Sequence, residues 1–200
     1  MSLLRVEQLG KEFGGVRAVA DLDFAIPAGT VFSIIGPNGA GKTTLLNLLT
    51  GVYVPSSGRI LLEDRDLTGR APYEFAARGI ARTFQNLQVF FNMSALDNVM
   101  VGRYLHERCG RPAALLRLPS LGRAERAARA ECEELMRFVG LGPYVGASSD
   151  AMPYGALKRL EIARALATRP RLLLLDEPAA GLNPTETHEI DALISELAKS

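Results

Sequence analysis

The stretch Gly36-Pro-Asn-Gly-Ala-Gly-Lys42-Thr43 decides the fold of this 200-residue chain. It matches the pattern G-x-x-x-x-G-K-[ST], in which glycines let the backbone amides curl around nucleotide phosphates. In this pattern Lys42 reaches the β- and γ-phosphate oxygens, and Thr43 offers its hydroxyl to Mg²⁺. The sequence therefore predicts a phosphate loop made of Gly36, Pro37, Asn38, Gly39, Ala40, Gly41, Lys42, Thr43 and Thr44.

The residues around this loop place it between a strand and a helix. The apolar run 30–35 precedes the loop and predicts a strand, and leucines at helical spacing follow the loop as far as Gly51. Periodicity predicts further strands at 3–9, 16–26, 59–63 and 172–175, and helices at 73–78, at 123–139, from 157 to Pro170 and at 185–199. Ser94 and Asp97 have the spacing of a capping box at the start of another helix.

Two carboxylates follow the apolar run 172–175. A buried strand that ends in a carboxylate is where a phosphate-loop protein holds Mg²⁺, so we expect Asp176 to be a metal ligand. Glu177 is the next residue, and its carboxylate is placed to polarise the water that attacks the γ-phosphate. It is therefore the predicted general base.

Composition excludes several classes of protein. A hydrophobic fraction of 48% predicts one globular unit, and a net charge of +1 gives no electrostatic footprint for nucleic acid. Cys109 and Cys132 are too few for a disulfide framework or a metal knuckle. The apolar runs are shorter than the ~18 residues of a membrane span. We therefore expect a chain that is neither secreted nor membrane-spanning by itself.

A second anion-binding helix start is predicted at Met152-Pro-Tyr-Gly-Ala156. These residues replace the Ser, Thr or Asp that usually caps a helix, so the free N–H groups and the positive end of the helix dipole face outward together. An ordinary turn is the alternative interpretation. A nucleotide has one phosphate tail, whereas the chain has two such helix starts. This arrangement indicates two chains that face each other.

The phosphate loop, Gln85 in "RTFQN", the segment 152–156 and the pair Asp176-Glu177 occur in the order typical of one family. Over its whole length the chain resembles the nucleotide-binding subunits of ABC transporters. The resemblance implies an α/β phosphate-loop cassette with a mixed or parallel sheet core and an inserted helical subdomain. The ATP-binding core would occupy about 1–85 and 156–200, and the helical subdomain about 86–155. ATP and Mg²⁺ are the implied cofactors, and ATP hydrolysis coupled to transport is the implied activity.

The resemblance also implies roles for individual residues. Gln85 would contact Mg²⁺ and the attacking water, which adds it to Glu177 as a catalytic residue and to Thr43 and Asp176 as a metal ligand. Phe13 would stack on adenine, where Tyr is more usual; packing in the core is its alternative. Pro153, Tyr154, Gly155 and Ala156 would close over the γ-phosphate held by a partner subunit, and 180–183 would cross the dimer.

The segment 152–156 departs from the common Leu-Ser-Gly-Gly-Gln signature of this family. Pro153 removes the serine hydroxyl, and Ala156-Leu157 stands where relatives usually carry Gln-Gln. Backbone amides and the helix dipole are then left to hold the phosphate. Tyr154 before Gly155, together with "RLEIARALAT" and "LLLLDEPAAGLNPTET", is similar to the ATP-binding subunit of branched-chain amino acid importers.

Such a subunit works with partners. The resemblance implies integral membrane permease subunits, a second ATP-binding subunit that is identical or different, and indirectly a periplasmic binding protein. The chain would lie at the cytoplasmic face of the inner membrane, attached through the permeases, without nucleic acid. The aromatic patch Val89-Phe-Phe91 is either part of a groove for a permease helix or ordinary core. The cargo stays open among branched-chain amino acids, other amino acids, urea and short amides.

Two other functions are weighed against this one. A non-catalytic or hydrolysis-defective ATP-binding module is favoured by the altered signature and by the end of the chain. A soluble ABC ATPase acting on nucleic acid or ribosomes would need tandem cassettes, long arms or a basic groove.

The end of the chain bears on catalysis. The helix 185–199 should return to another strand, which in the family leads to a switch histidine, and His188 lies too early for that role. We therefore expect a cassette truncated at its C-terminus that binds ATP and hydrolyses it slowly or not at all.

Overall fold

The computed structural model describes residues 2–104 and 119–199, which form an α/β structure. The strands are β1 (Ser2–Phe13), β2 (Val16–Pro27), β3 (Ser57–Leu62), β4 (Arg65–Asp66), β5 (Ile80–Arg82) and β6 (Leu172–Leu174). The α-helices are α1 (Lys42–Leu49), α2 (Pro72–Ala77), α3 (Ala95–Arg103), α4 (Pro119–Phe138), α5 (Tyr154–Ala167) and α6 (Pro184–Leu197). The chain divides into two compact units, residues 1–80 with 191–200 and residues 81–190.

The first unit is built on a four-stranded antiparallel sheet in the order β2-β1-β3-β4. The long hairpin β1–β2 turns at Gly14 and Gly15, whose φ angles of 52° and 86° suit residues without a Cβ. The sheet buries an apolar row that includes Leu4, Leu9 and Ile60, each fully buried. This row agrees with the strand periodicity predicted from the sequence.

Helix α1 follows the phosphate loop as predicted. Its four leucines, Leu45, Leu46, Leu48 and Leu49, are all buried, which explains why an eight-residue helix is stable at this position. The helix ends at Leu49 with Thr50 as its C-cap, and Gly51 follows with a φ of 72°. Loss of the helical periodicity and a glycine just beyond the last turn mark this end in the sequence.

In the described part of the second unit, helices α3, α4 and α5 pack against one another. Ser94 caps α3 by accepting a hydrogen bond from the Asp97 amide, as its spacing predicts. Along α4 the side chains of Ala128, Cys132 and Met136 are buried in one stripe. The predicted helical lobe, 86–155, lies within this unit; its residues 105–118, which include Cys109, are outside the described part.

The strand predicted at 30–35 is not formed. No strand is assigned between residues 28 and 56, and Val31, Phe32, Ile34 and Ile35 are exposed, with Ile35 at 93%. Phe32 stacks on Phe24 of β2, with ring centroids 5.3 Å apart. A strand requires a neighbour that accepts and donates its backbone hydrogen bonds, and within the described residues this run has none. The apolar composition of 30–35 suits a strand, but it does not specify a neighbouring strand with which this segment would pair.

Candidate functional site

The phosphate loop lies in the first unit and opens α1 with its amides uncapped. Gly41 is the N-cap residue, with φ 82° and ψ 7°, and no side chain caps this end. The first turn contains no acidic residue. Orphan N–H groups and the positive end of the helix dipole therefore coincide without a competing carboxylate in that turn, which is the arrangement that binds an anion.

Glycine at position 41 is required by the fold as well as by the loop. A Cβ there would clash with the carbonyl oxygen of Ala18 in β2, and the left-handed φ disfavours any side chain. The loop backbone thus lies close against the β1–β2 hairpin. Phe13, at the end of β1 in the same unit, packs its ring edge-to-face on Tyr53 at 5.2 Å, yet it is 42% exposed. The contact with Tyr53 fits the packing interpretation, and the exposed part of the ring leaves a surface for adenine stacking.

Lys42 is folded back onto the loop that precedes it. Its Nζ donates to the carbonyl oxygens of Gly36 at 2.7 Å and Pro37 at 2.8 Å. These contacts hold an ammonium group beside the uncapped amides of α1. A phosphate bound there would meet a positive charge as well as backbone donors.

Gln85, Asp176 and Glu177 all lie in the second unit. Gln85 Nε2 donates to Glu177 Oε2 at 3.1 Å, so the predicted base and the predicted water-positioning amide are direct neighbours. Glu177 has a φ of 48°, an uncommon conformation for a residue with a Cβ. This backbone turns the chain sharply at the end of β6. Their roles in catalysis stay predictions.

The Asp176 carboxylate is engaged by a residue that the sequence analysis did not single out. Arg82 Nη2 lies 2.9 Å from Asp176 Oδ2, and the two side chains are 6% and 9% exposed. The Asp176 amide donates to Thr83 Oγ1 at 3.4 Å. A buried carboxylate needs such a counter-charge, because removing it from water is costly. The only sequence signal was the position of Arg82 in "RTFQN", directly before Thr83.

The segment 153–156 begins α5 in the second unit. Pro153 is the N-cap, and no side chain caps this end. The ring of Tyr154 packs against Gly181, and its hydroxyl lies 3.5 Å from the Ala180 carbonyl oxygen. The structure thus brings the predicted signature together with the predicted dimer-crossing loop, 180–183.

A carboxylate of the same chain lies beside this helix start. Glu186 in α6 lies so close to Gly155 that a Cβ on the glycine would clash with Glu186 Oε1. Its other oxygen, Oε2, accepts from the Asn183 amide at 3.0 Å, and Asn183 Oδ1 accepts from the Glu186 amide at 2.9 Å. This reciprocal cap fixes the carboxylate in place. A negative group at the start of α5 is favoured by the helix dipole.

The aromatic patch 89–91 is divided between core and surface. Val89 is buried, with 9% of its surface exposed, whereas Phe90 is 45% and Phe91 50% exposed. The Arg164 guanidinium lies over the Phe90 ring at 5.4 Å. The two aromatic rings, but not Val89, therefore belong to an exposed apolar surface.

Comparison with known proteins identifies the class. The family model described as ABC transporter matches residues 19–180, which is most of the chain. The chain belongs to this family, and with it to the ATP-binding, ATP-hydrolysing cassettes of transport systems. Two solved structures support the fold. A nucleotide-free ATP-binding cassette from an ABC transporter has a TM-score of 0.83 and 32% identity, covering 99% of this chain and 78% of that one. The ADP conformation of an ATP-binding cassette has a TM-score of 0.83 and 31% identity, covering 99% and 77%.

Two curated relatives show which ABC transport proteins this chain is similar to. The high-affinity branched-chain amino acid transport ATP-binding protein BraF of Pseudomonas aeruginosa is 42% identical over 195 residues. The corresponding protein LivG of Escherichia coli K12 is also 42% identical over 195 residues. Each alignment covers 98% of this chain and 76% of the relative. The predicted α/β cassette and its family are confirmed by these matches, and the relatives are longer than the present chain.

Replacing Lys42 by alanine should weaken ATP binding severely, because the phosphates lose their lysine contact beside α1. Calorimetric titration with ATP measures the change. The control is Lys199→Ala, which removes the same charge far from the loop in the sequence. This variant should bind ATP as the wild type does. Equal affinity in the wild type and in Lys42→Ala would show that the loop is not the nucleotide site.

Proposed function

We propose that this chain is the ATP-binding and ATP-hydrolysing subunit of an importer for branched-chain amino acids. The observation that carries the proposal is 42% identity, over 98% of the chain, to two ATP-binding proteins of branched-chain amino acid transport. The local chemistry supports it, since the uncapped start of α1 and the bonded pair Gln85–Glu177 are what phosphate binding and hydrolysis require.

ATP would bind through the phosphate loop, with Phe13 beside the adenine. We propose that Mg²⁺ is held by Thr43, Asp176 and Gln85, whose hydroxyl, carboxylate and amide oxygens are the ligands this ion prefers. Mg²⁺ is usually held by few protein ligands together with substrate phosphates. Among residues 2–104 and 119–199 there is no cluster of three or more His, Cys, Asp or Glu side chains that could hold a metal ion. Bound Mg²⁺ would neutralise charge on the phosphates.

Hydrolysis would use Glu177 as general base and Gln85 as the group that orients the attacking water. Their hydrogen bond supports this pairing, because one side chain fixes the other before the water arrives. The family's division into an ATP-binding core, about 1–85 and 156–200, and a helical subdomain, about 86–155, is part of the proposal. The segment 153–156 would then receive the γ-phosphate of a second ATP-binding subunit, identical or different.

The chain would act at the cytoplasmic face of the inner membrane through integral permease subunits, with a periplasmic binding protein delivering the cargo. In the described part of the chain no helix combines the length and apolarity needed to cross a bilayer. We propose that attachment uses a protein surface, and the exposed rings of Phe90 and Phe91 supply an apolar one. Nucleic acid is not a proposed partner.

The proposal is tested by transport itself. Vesicles that carry the complete transporter should take up leucine, isoleucine and valine when supplied with ATP, and uptake should stop when this subunit is left out. Urea, short amides and unrelated amino acids serve as competing cargoes. If the vesicles took up urea but no leucine when supplied with ATP, the proposed importer function would stand and the proposed cargo would be wrong.

Glu177→Gln should bind ATP normally and lower turnover by about 10²- to 10⁴-fold, as expected for a lost general base. Steady-state release of phosphate measures turnover, and calorimetry measures binding. Glu134→Gln makes the same change on an exposed part of α4 and should leave both unchanged. Undiminished hydrolysis in Glu177→Gln would remove Glu177 from the catalytic role.

Phe90→Asp should leave ATP binding by the isolated subunit intact and should abolish ATP-driven uptake, because a charge in the apolar surface opposes docking of a permease helix. Phe138→Asp is the matched control, since Phe138 is similarly exposed at 40% on α4. Copurification with the permease subunits measures docking. If Phe90→Asp unfolds the subunit while Phe138→Asp does not, the Phe90 ring belongs to the core.

A further inference from the structure

Helix α5 carries two charged side chains inside the second unit. Lys158 and Glu161 are each only 3% exposed, although both side chains are ionisable, and they lie one helical turn apart. Such charges are found in protein interiors when a specific partner holds them. Their partners show what the helix is attached to.

Both partners belong to the backbone of the segment 85–88, which includes the predicted catalytic residue Gln85. Lys158 Nζ donates to the Gln85 carbonyl oxygen at 3.1 Å. Glu161 Oε1 accepts from the Gln88 amide at 2.6 Å. The cation thus meets a carbonyl and the anion meets an N–H, three residues apart on the same segment. The charges match the polarity of the peptide groups that they contact.

The same helix contacts two other proposed functional elements. The Lys158 ammonium lies 5.8 Å from the centroid of the Tyr154 ring at the start of α5. Near the other end of the helix, the Arg164 guanidinium lies over Phe90, and one of its nitrogens is 3.9 Å from Glu161 Oε1. The charged side chains of α5 therefore connect the signature, the segment 85–88 and the exposed aromatic surface.

Because Lys158 and Glu161 are buried, breaking their contacts with the segment 85–88 would be energetically costly. Loss of hydration raises the pKa of Glu161, and this effect outweighs the opposing influence of the Gln88 amide, Lys158 and Arg164. If the segment 85–88 moved away from α5, it would leave a buried ammonium and a buried carboxylate without their hydrogen-bond partners. An uncompensated buried charge is strongly unfavourable. The segment and the helix are therefore expected to move together.

We propose that Lys158 and Glu161 form a clamp, defined by their two bonds to the Gln85 carbonyl and the Gln88 amide, that fixes Gln85 to the signature helix. In this proposal both are positioning residues for ATP hydrolysis, and neither is among the residues proposed to bind the nucleotide. This inference rests on the proposed function for the role of Gln85, whereas the clamp itself is a local property of the fold.

The test uses the intact subunit and compares Lys158→Met, Lys158→Arg and the double variant Lys158→Met with Glu161→Met. The single Met variant leaves the Glu161 carboxylate buried without its neighbouring cation. The double variant removes both charges and keeps side chains of similar size, which protein interiors tolerate well. Arg159→Met is the matched control, because Arg159 lies on the same helix but pairs with Glu189, at 3.0 Å.

Two measurements report on the clamp. For the segment 85–90, amide hydrogen exchange should become about tenfold faster in the double variant, because the Gln88 amide loses its acceptor. The kcat for ATP hydrolysis should fall about 10- to 100-fold, with the KM for ATP within about twofold of wild type, as expected when a catalytic group is misplaced. Lys158→Arg should restore most of the activity, and Arg159→Met should resemble the wild type. Thermal unfolding confirms that each variant is folded.

The outcomes separate this inference from the proposed function. A folded double variant with wild-type exchange in 85–90 overturns the clamp, whatever the enzyme activity. Faster exchange with unchanged kcat and KM overturns its role in positioning Gln85. If the wild-type subunit itself neither binds nor hydrolyses ATP, the proposed function fails, and the exchange experiment still decides whether the clamp exists.

Discussion

The free N–H groups at the start of a helix are the constraint on which this structure depends. Helix α1 begins at Gly41 and helix α5 at Pro153, and in neither case does a side chain cap the amides. Uncapped amides are costly unless something else satisfies them, and an anion is the group that also matches the dipole. Beside α5 the Glu186 carboxylate is such an anion, and we propose that a bound phosphate meets the same requirement at α1. The buried leucines of α1 keep its open end in position without help from a cap.

The second unit applies a related constraint to charged side chains. Three part-buried contacts of charged side chains join segments far apart in the chain: Arg82 with Asp176, Lys158 with Gln85 and Glu161 with Gln88, separated by 94, 73 and 73 residues. Each places a charge against an opposite charge or against a peptide dipole. Because each contact lies close to a proposed catalytic residue, we expect these contacts to order the proposed site before any ligand binds. Preorganisation of this kind lowers the reorganisation needed during a reaction.

Local patterns in the sequence predicted much of this arrangement, and long-range pairing accounts for the rest. The glycines of the phosphate loop, the leucines of α1 and the cap at Ser94 act on neighbours within one or two helical turns, so their geometry could be read directly. The run 30–35 is apolar enough for a strand, but strand formation depends on a partner that local sequence does not specify. Lys158 and Glu161 stand beside other charged residues of α5, such as Arg159, so the local sequence marked neither their burial nor the peptide groups that they bind. For the same reason, the local sequence did not indicate that Arg82 pairs with Asp176.

Sites made from backbone amides have a consequence for how this chain can vary over evolution. Any residue except proline contributes an N–H group, so side chains around such a site can be exchanged while the anion-binding geometry persists. Ala156, which stands where the common Leu-Ser-Gly-Gly-Gln signature has Gln, is a substitution of that type, because its backbone N–H is kept. Gly155 is different, because Glu186 leaves no room for a Cβ there. Drift in this segment should therefore be wide at the flanking positions and should stop at the glycine, unless residue 186 changes with it.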